Sequence, residues 1–337
     1  MLRRPPVAAG RFYSADPKTL QAEVQYWLAH TLPVSDDGQP RDTQCLMLPH
    51  AGHVFCGAVI ATTLMAAEAS KRPFLSPRST NEPHRILILC PNHTGLGHPL
   101  GIWPEGAWST PLGDVPVDEK LADDLISSKV GFSTDTASHI REHSIEVLLP
   151  FLQYISPEIP PTITPVCIGI NNSSVLHSAG RALAQILQRY EINGKPVAII
   201  VSSDMNHYED QATTIRKDNI ALTEILSCNP QGLLDVTRRE HITMCGVMPM
   251  ALALFAMQYM GKPWASLCAH DTSATASGNT QQVVGYAGGM VVDGDLQILK
   301  VAVDERFRRQ GIARKLLERV GDDARNLGAS SCSLEVR

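Results

Sequence analysis

Residues 45–53 read Cys-Leu-Met-Leu-Pro-His-Ala-Gly-His: an apolar run, Cys45–Leu48, stopped by a proline and opening into a polar turn with two histidines. A short apolar run bounded by turn residues reads as a buried strand. The pattern recurs twice. Arg85–Cys90 leads into Pro91-Asn92-His93-Thr94-Gly95, and Val197–Ser202 leads into Ser203-Asp204-Met205-Asn206-His207. Ile163–Ile168, Ser266–His270 and Val283–Val292 are further strand candidates. Helical patterns lie between them, at about Gly57–Ala69, Asp118–Ser127, Ser144–Tyr154, Ser174–Tyr190, Gln211–Leu226 and Val247–Met260. Strands spaced by helices predict βαβ units. The expected fold class is therefore α/β: a three-layer αβα sandwich with a mostly parallel central sheet covered on both faces. The polar, proline-rich stretch SKRPFLSPRSTNEP, residues 70–83, reads as a surface loop.

The composition fits this reading. The chain has 337 residues, 44% hydrophobic and 19% charged, with a net charge of −5, which excludes collagen-like, coiled-coil and wholly disordered architectures. A mildly acidic balance argues against a nucleic-acid partner, which needs a clustered basic face. No apolar run is long enough for a membrane-spanning helix, and the N-terminus MLRRPPVAAGRFY lacks the apolar core of a signal peptide. The eight cysteines are scattered without a CxxC pair, so a reduced, cytoplasmic compartment is expected, with most of them small core residues. A seam falls at about Asp293–Asp295. Residues 1–292 form the main domain, and residues 293–337 form a short C-terminal βαβ fragment: strand Leu296–Val303, helix from about Gln310 to Arg325, strand Ser331–Val336.

In open α/β sheets, ligands bind beyond the carboxyl ends of the strands. His50, His93 and His207 all follow strands at that edge. A lone histidine in such a turn is more often structural, but three at equivalent strand ends point to a shared site. His143, in Glu142-His143-Ser144-Ile145-Glu146, opens a helix whose N-terminus disfavours its protonation; the alternative is that His143 and Ser144 merely cap the helix. Cys245 stands at the entry of the helix Val247–Met260, where a thiol pKa is lowered, or else is a buried small residue. Imidazole and thiolate together suit iron, zinc or copper, and two histidines with one cysteine leave open positions for a substrate. A metal-free nucleophilic pair of Cys245 and His143 is the other chemistry these residues allow. Asp204 and His207, three apart after a strand, predict a pocket shared with His143. A carboxylate–imidazole hydrogen bond is expected there to orient a ring.

The strings RPPVAAGRFY, PHAGHVFCG at 49–57, PNHTG at 91–95, WSTPLG at 108–113, EHSIEVLLPFLQ at 142–153, SSDMNHYE at 202–209 and MCGVMP at 244–249 resemble the Memo family, also called AmmeMemoRadiSam system protein B. The resemblance spans residues 1 to about 292. It implies a LigB-like fold, related to the class III extradiol dioxygenases, which hold non-haem Fe(II) with two histidines and a carboxylate. A cysteine takes the carboxylate position in Memo-like proteins. Carried over, this implies His50, His93 and Cys245 as ligands of Fe(II) or Cu. His143, Asp204 and His207 would line the same pocket as acid, base or orienting groups. His53 stands where an aromatic often does, and would put another imidazole near His50. The implied activity is metal-dependent, dioxygenase-like redox chemistry on an unidentified small molecule. The alternative is a non-catalytic module that binds a peptide or protein in the same pocket. The family name implies a shared pathway with an AMMECR1-like protein and a radical SAM protein, although the three-cysteine radical SAM motif is absent here.

The last residues resemble something else. Leu299–Val303, followed by Arg308-Arg309-Gln310-Gly311-Ile312-Ala313, is similar to the acetyl-CoA motif of GNAT N-acetyltransferases. In such a turn Arg308, Gly311 and Ala313 would frame a helix N-terminus able to cradle a pyrophosphate. The piece is one βαβ unit without the regions that normally flank it, so neither acetyl-CoA as a cofactor nor acetyl transfer is expected.

Overall fold

The computed structural model describes residues 2–33, 43–69, 74, 83–261, 263–293, 297–298 and 333–334. The chain opens with β1 (Arg3–Arg4), α1 (Pro17–Ala29), β2 (Thr43–Leu48), α2 (His53–Glu68) and β3 (Arg85–Pro91). Short strands β4 (Leu100–Ile102), β5 (Ala107–Thr110) and β6 (Gly113–Pro116) lead to α3 (Glu119–Ile126) and β7 (Ser133–Thr134). Then come α4 (Leu149–Ile155), β8 (Thr162–Ile168), α5 (Ser173–Ile192), β9 (Val197–Ser202), β10 (His207–Glu209), α6 (Gln211–Leu226), α7 (Pro230–Arg239) and α8 (Val247–Met260). The series closes with β11 (Pro263–Thr272), α9 (Ala274–Ser277), β12 (Val283–Asp293), β13 (Gln297–Ile298) and β14 (Ser333–Leu334).

One large mixed sheet dominates, in the order β10-β12-β2-β9-β3-β8-β4-β7, with β11 paired to β12. Its centre, β2-β9-β3-β8, is parallel, and antiparallel pairings of β12 with β2 and of β4 with β8 flank it. The period-2 alternation of the central strands feeds two cores. Cys45, Met47, Leu87, Leu89, Ile199 and Val201 face α3, α5, α6, α7 and α8. Leu46, Leu48, Ile86, Ile88, Ala198 and Ile200 face α1, α2 and α4. Central strands must be apolar on both faces, and the continuous runs read from the sequence meet that demand. Helix α8 is buried at every position from Pro249 to Met257, which explains its lack of a polar face.

Every expected strand of the main domain is present, and β9, α6 and α8 have the expected bounds. Three differences have physical causes. The helix expected over Ser144–Tyr154 is a 3-10 turn at Glu146–Leu148 followed by α4, because Pro150 has no N–H to continue an α ladder from Glu146. Helix α2 starts at His53 rather than Gly57. Gly57 lies inside the helix, where a Cβ would stand 2.6 Å from the Trp27 indole, so it marks close packing of α1 on α2. Helices α1 and α7 were not anticipated. Each starts with a capping side chain followed by proline at the first helical position, Asp16-Pro17 and Asn229-Pro230. That signature was available in the sequence.

The expected loop 70–83 lies outside the described residues except for Phe74, which is buried, and Pro83. Of the C-terminal fragment only β13 and β14 are described. They pair in parallel. Arg308, Gly311 and Ala313 lie outside the described residues. No helix among the described residues is long and apolar enough to cross a membrane.

The large sheet ends with β12, so the chain truncated after Asp293 should fold. Its melting temperature is expected within about 5 °C of the full chain, since a loss of about 1 kcal/mol moves a domain of this size by only 2–4 °C. A cooperative transition lost on truncation would show that the fragment completes the core. Gly57→Ala should destabilise by about 1–3 kcal/mol through overpacking against Trp27, read as a lower urea midpoint.

Candidate metal centre

Strands β2 and β3 flank β9, so the loops leaving these three strands converge at one edge of the sheet. His50 follows β2, His93 follows β3, and Asp204 follows β9. His143, at the N-terminal side of the 3-10 turn, comes in beside them. The rings of His50, His93 and His143 stand 5.1–5.5 Å apart by centroids. One ligand atom from each lies within 4.8 Å of the others. Cys245, just before α8, places Sγ 3.3 Å from His50 Nε2. The four groups face a cleft of about 690 Å³ that Phe12, Phe55, Asp204, His207, Tyr208 and Tyr286 also line. The six residues assigned from the sequence to metal binding or proton handling therefore share one cleft.

Each group has a definite environment. The His50 backbone N–H donates to Asp204 Oδ1 at 2.8 Å, and its ring Nδ1 is 2.7 Å from Ser202 Oγ. Burial and the neighbouring His143 and His93 hold the His50 pKa well below its ordinary value. His143 is lowered to about 4 by burial, partly countered by Glu142. The expected direction is correct, but burial is the largest cause. The side chain of His93 is about a third exposed, at 34%. Burial alone would lower its pKa, yet hydrogen bonding and charge from Glu142 raise it. Burial pushes Asp204 up to about 7, against the hydrogen bond from His50.

Three expectations change. The Cys245 thiol is raised rather than lowered, first by burial and then by the Asp204 carboxylate. Without a cation beside it, this sulfur keeps its proton. His207 and Asp204 line the same cleft but do not orient each other: His207 Nδ1 is 2.9 Å from the Thr243 carbonyl, and Asp204 accepts from the His50 backbone. The carboxylate–imidazole bond of this site belongs instead to Glu142 and His93. His53 does not add an imidazole to the cleft. As the first residue of α2 it turns inward, with Nε2 2.9 Å from the Val147 carbonyl and Nδ1 3.2 Å from Glu23.

Glu142 was not singled out by sequence reasoning. It is fully buried, and its two oxygens accept from His93 N at 2.8 Å, His93 Nδ1 at 2.9 Å, His143 N at 3.0 Å, Ser144 N at 3.1 Å and Ser144 Oγ at 2.8 Å. Burial would raise its pKa, but the His93 hydrogen bond and the charges of His93 and His143 hold it at about 2. Its position next to His143 was the one signal available.

The family model described as "Memo-like protein" matches residues 4–290. A MEMO1 family protein of Sulfurisphaera tokodaii is 35% identical over 290 residues, covering 84% of this chain and 97% of that protein. One from Thermotoga maritima is 36% identical over 296 residues, covering 86% of this chain and all of that protein. The crystal structure of an uncharacterized protein from Escherichia coli K12 aligns at 12% identity with a TM-score of 0.46, covering 73% of this chain and 99% of that one. A second family model, "Acetyltransferase (GNAT) family", matches residues 255–337. That match begins inside α8 and runs through β11 and β12, which belong to the large sheet.

The depressed Glu142 pKa has a pH signature. Its ionised form contributes stability that is complete above pH 4.5, its ordinary value, and is lost as pH falls toward 2. In metal-free protein Glu142→Gln should cost about 3 kcal/mol at pH 7, a deficit that shrinks below pH 4.5. Urea midpoints at pH 7 and pH 3 read it. An equal deficit at both values would mean that the carboxylate charge is not what holds the loop.

Proposed function

The chain belongs to the Memo-like protein family, and from that premise we propose that its cleft is a mononuclear transition-metal centre for dioxygenase-like redox chemistry on a small molecule. The observation that carries this reading is the crowding of three imidazoles, with ligand atoms within 4.8 Å, beside a thiol 3.3 Å from one of them. Burial holds His50 and His143 in the neutral form that donates a lone pair. The donor set of nitrogen and sulfur fits Fe(II) or Cu. His50, His93 and Cys245 would hold the ion, with His143 at the same point as a fourth donor, the third nitrogen, or as a base.

A bound ion of this kind would supply one-electron chemistry and Lewis acidity to a substrate in the cleft. The chain's own groups supply the rest. Asp204, near 7, can hold or release a proton at neutral pH beside Cys245 and the His50 backbone. His207, lowered by burial, is neutral and available as a base at the mouth. Phe12 lies against His143, with ring centroids 4.4 Å apart, and shields one wall from water. The AMMECR1-like and radical SAM proteins are the partners proposed for the same pathway. One feature favours a recognition-only reading of the cleft: Phe55 and Tyr208 at its mouth are 38% and 72% exposed.

Elemental analysis after anaerobic purification should find one iron or copper per chain. His50→Ala and Cys245→Ser should each lower metal affinity at least about tenfold with circular dichroism unchanged. His207→Ala should keep the metal and lose oxygen consumption with candidate small substrates. A chain that binds no transition metal, or variants that keep it fully, would favour the recognition reading.

A further inference from the structure

The hydrogen bonds behind the imidazoles form a bracket that runs through one residue. Ser202 Oγ donates to the Ser144 carbonyl at 2.7 Å and lies 2.7 Å from His50 Nδ1. Ser144 Oγ donates to Glu142 Oε1 at 2.8 Å, and the same oxygen lies 2.9 Å from His93 Nδ1. Ser144, Ser202 and Glu142 are all fully buried.

Each contact has one consistent proton assignment. A hydroxyl carries one proton, and a carbonyl can only accept. Ser202 therefore spends its proton on Ser144 and presents a lone pair to His50. The His50 Nδ1 must then be the donor. Glu142 Oε1 already accepts the N–H groups of His143 and Ser144 and the Ser144 hydroxyl, so it is an acceptor here and His93 Nδ1 donates to it. With both Nδ1 atoms donating, the lone pairs lie on Nε2, and that of His50 can accept the Cys245 thiol proton until an ion displaces it. His50 Nε2 is the atom that faces Cys245 Sγ. In the opposite tautomer of His50, Ser202 would have to turn its proton to Nδ1, and the buried Ser144 carbonyl would lose this donor.

We infer that Ser202 and Glu142, joined through the carbonyl and hydroxyl of Ser144, are positioning residues that fix His50 and His93 as Nδ1–H tautomers. Both rings then present Nε2 to the ion. The inference rests on reading the cluster as a metal centre, but it concerns protons that are in place before any metal binds. A single residue supports both imidazoles, by its backbone on one side and its side chain on the other. This gives three substitutions with different effects.

The test is long-range nitrogen–proton NMR of the histidine rings in the metal-free full chain at about pH 8.5. It is paired with calorimetry using Zn(II) as the probe. In the parent protein His50 and His93 should both show a protonated Nδ1 and an unprotonated Nε2. Ser202→Ala should move His50 toward a mixture of tautomers, leave His93 unchanged, and weaken Zn(II) binding about 10–100-fold. Glu142→Gln should do the converse. Ser144→Ala keeps the carbonyl and should leave the His50 tautomer intact. It remains informative if Glu142→Gln fails to fold. A protonated Nε2 on His50 in the parent protein would overturn the inference. So would a Ser202→Ala variant with unchanged ring signals and Zn(II) affinity. Absence of metal-dependent turnover would sink the proposed function while leaving these tautomers in place, so the two failures are distinguishable.

Discussion

The Glu142 carboxylate ties together the parts of the site that the sheet brings close but does not join. A carboxylate with no solvent access is expensive to bury unless its lone pairs are filled. Here five donors fill them: three backbone N–H groups, a ring nitrogen and a hydroxyl. Two of those donors belong to the loop after β3 and three to the segment that opens the 3-10 turn. The carboxylate therefore joins His93, which comes from the sheet, to His143, which comes from outside it. If that link opened, an ionised carboxylate would be left without partners in a low-dielectric interior, so the loops stay together.

A second buried carboxylate, four residues on, does the same for the N-terminal segment. Glu146 pairs with Arg4 at 2.6 Å, with neither side chain exposed. It also accepts from Tyr13 Oη at 2.6 Å and from the N–H groups of Val7 and Ala8 at 2.8 Å. Arg4 reaches further, donating to the His139 and Glu142 carbonyls and lying 4.1 Å over the Trp108 ring. The segment is thereby held along the edge of the cleft. Phe12 packs on His143, and its carbonyl accepts the N–H of His53 at 2.8 Å, the first residue of α2. Glu142 and Glu146 thus give one short stretch two tasks, one toward the donor cluster and one toward the wall that shields it. Such pairs set placement more than they add stability, because desolvation offsets much of their attraction.

Much of this was legible before folding. The apolar runs at Cys45–Leu48, Arg85–Cys90 and Val197–Ser202 read as buried strands, and the turns that follow carry His50, His93 and Asp204. The mostly parallel, three-layer sheet follows from the alternation of such runs with helical patterns. Other features were harder to read. Strands of two to four residues, such as β1 and β4 to β7, are too short to show a period. Helix α1 is only weakly patterned, with Leu20 and Val24 its buried residues, so its capping signature outweighs its periodicity as a signal. The match to the acetyltransferase model overlaps β11 and β12, so the seam near Asp293 is sharper in the strand pattern than in that comparison.

By itself the sequence determined which residue types stand at the strand ends and which family pattern they follow, because both depend on local order along the chain. The tertiary structure decided which of them meet. That β9 lies between β2 and β3, bringing His50 and His93 within reach of each other, depends on strand order, which no local pattern encodes. The reversed shift of Cys245 arises because burial and the Asp204 charge, 41 positions away, outweigh the hydrogen bonds from the Asp204 backbone and Ser203. The role of Glu142 arises because its partner His93 is 49 positions away. A carboxylate or thiol takes its proton affinity from the charges and donors within a few ångströms and from its exclusion from water. Those quantities exist only once the chain has folded.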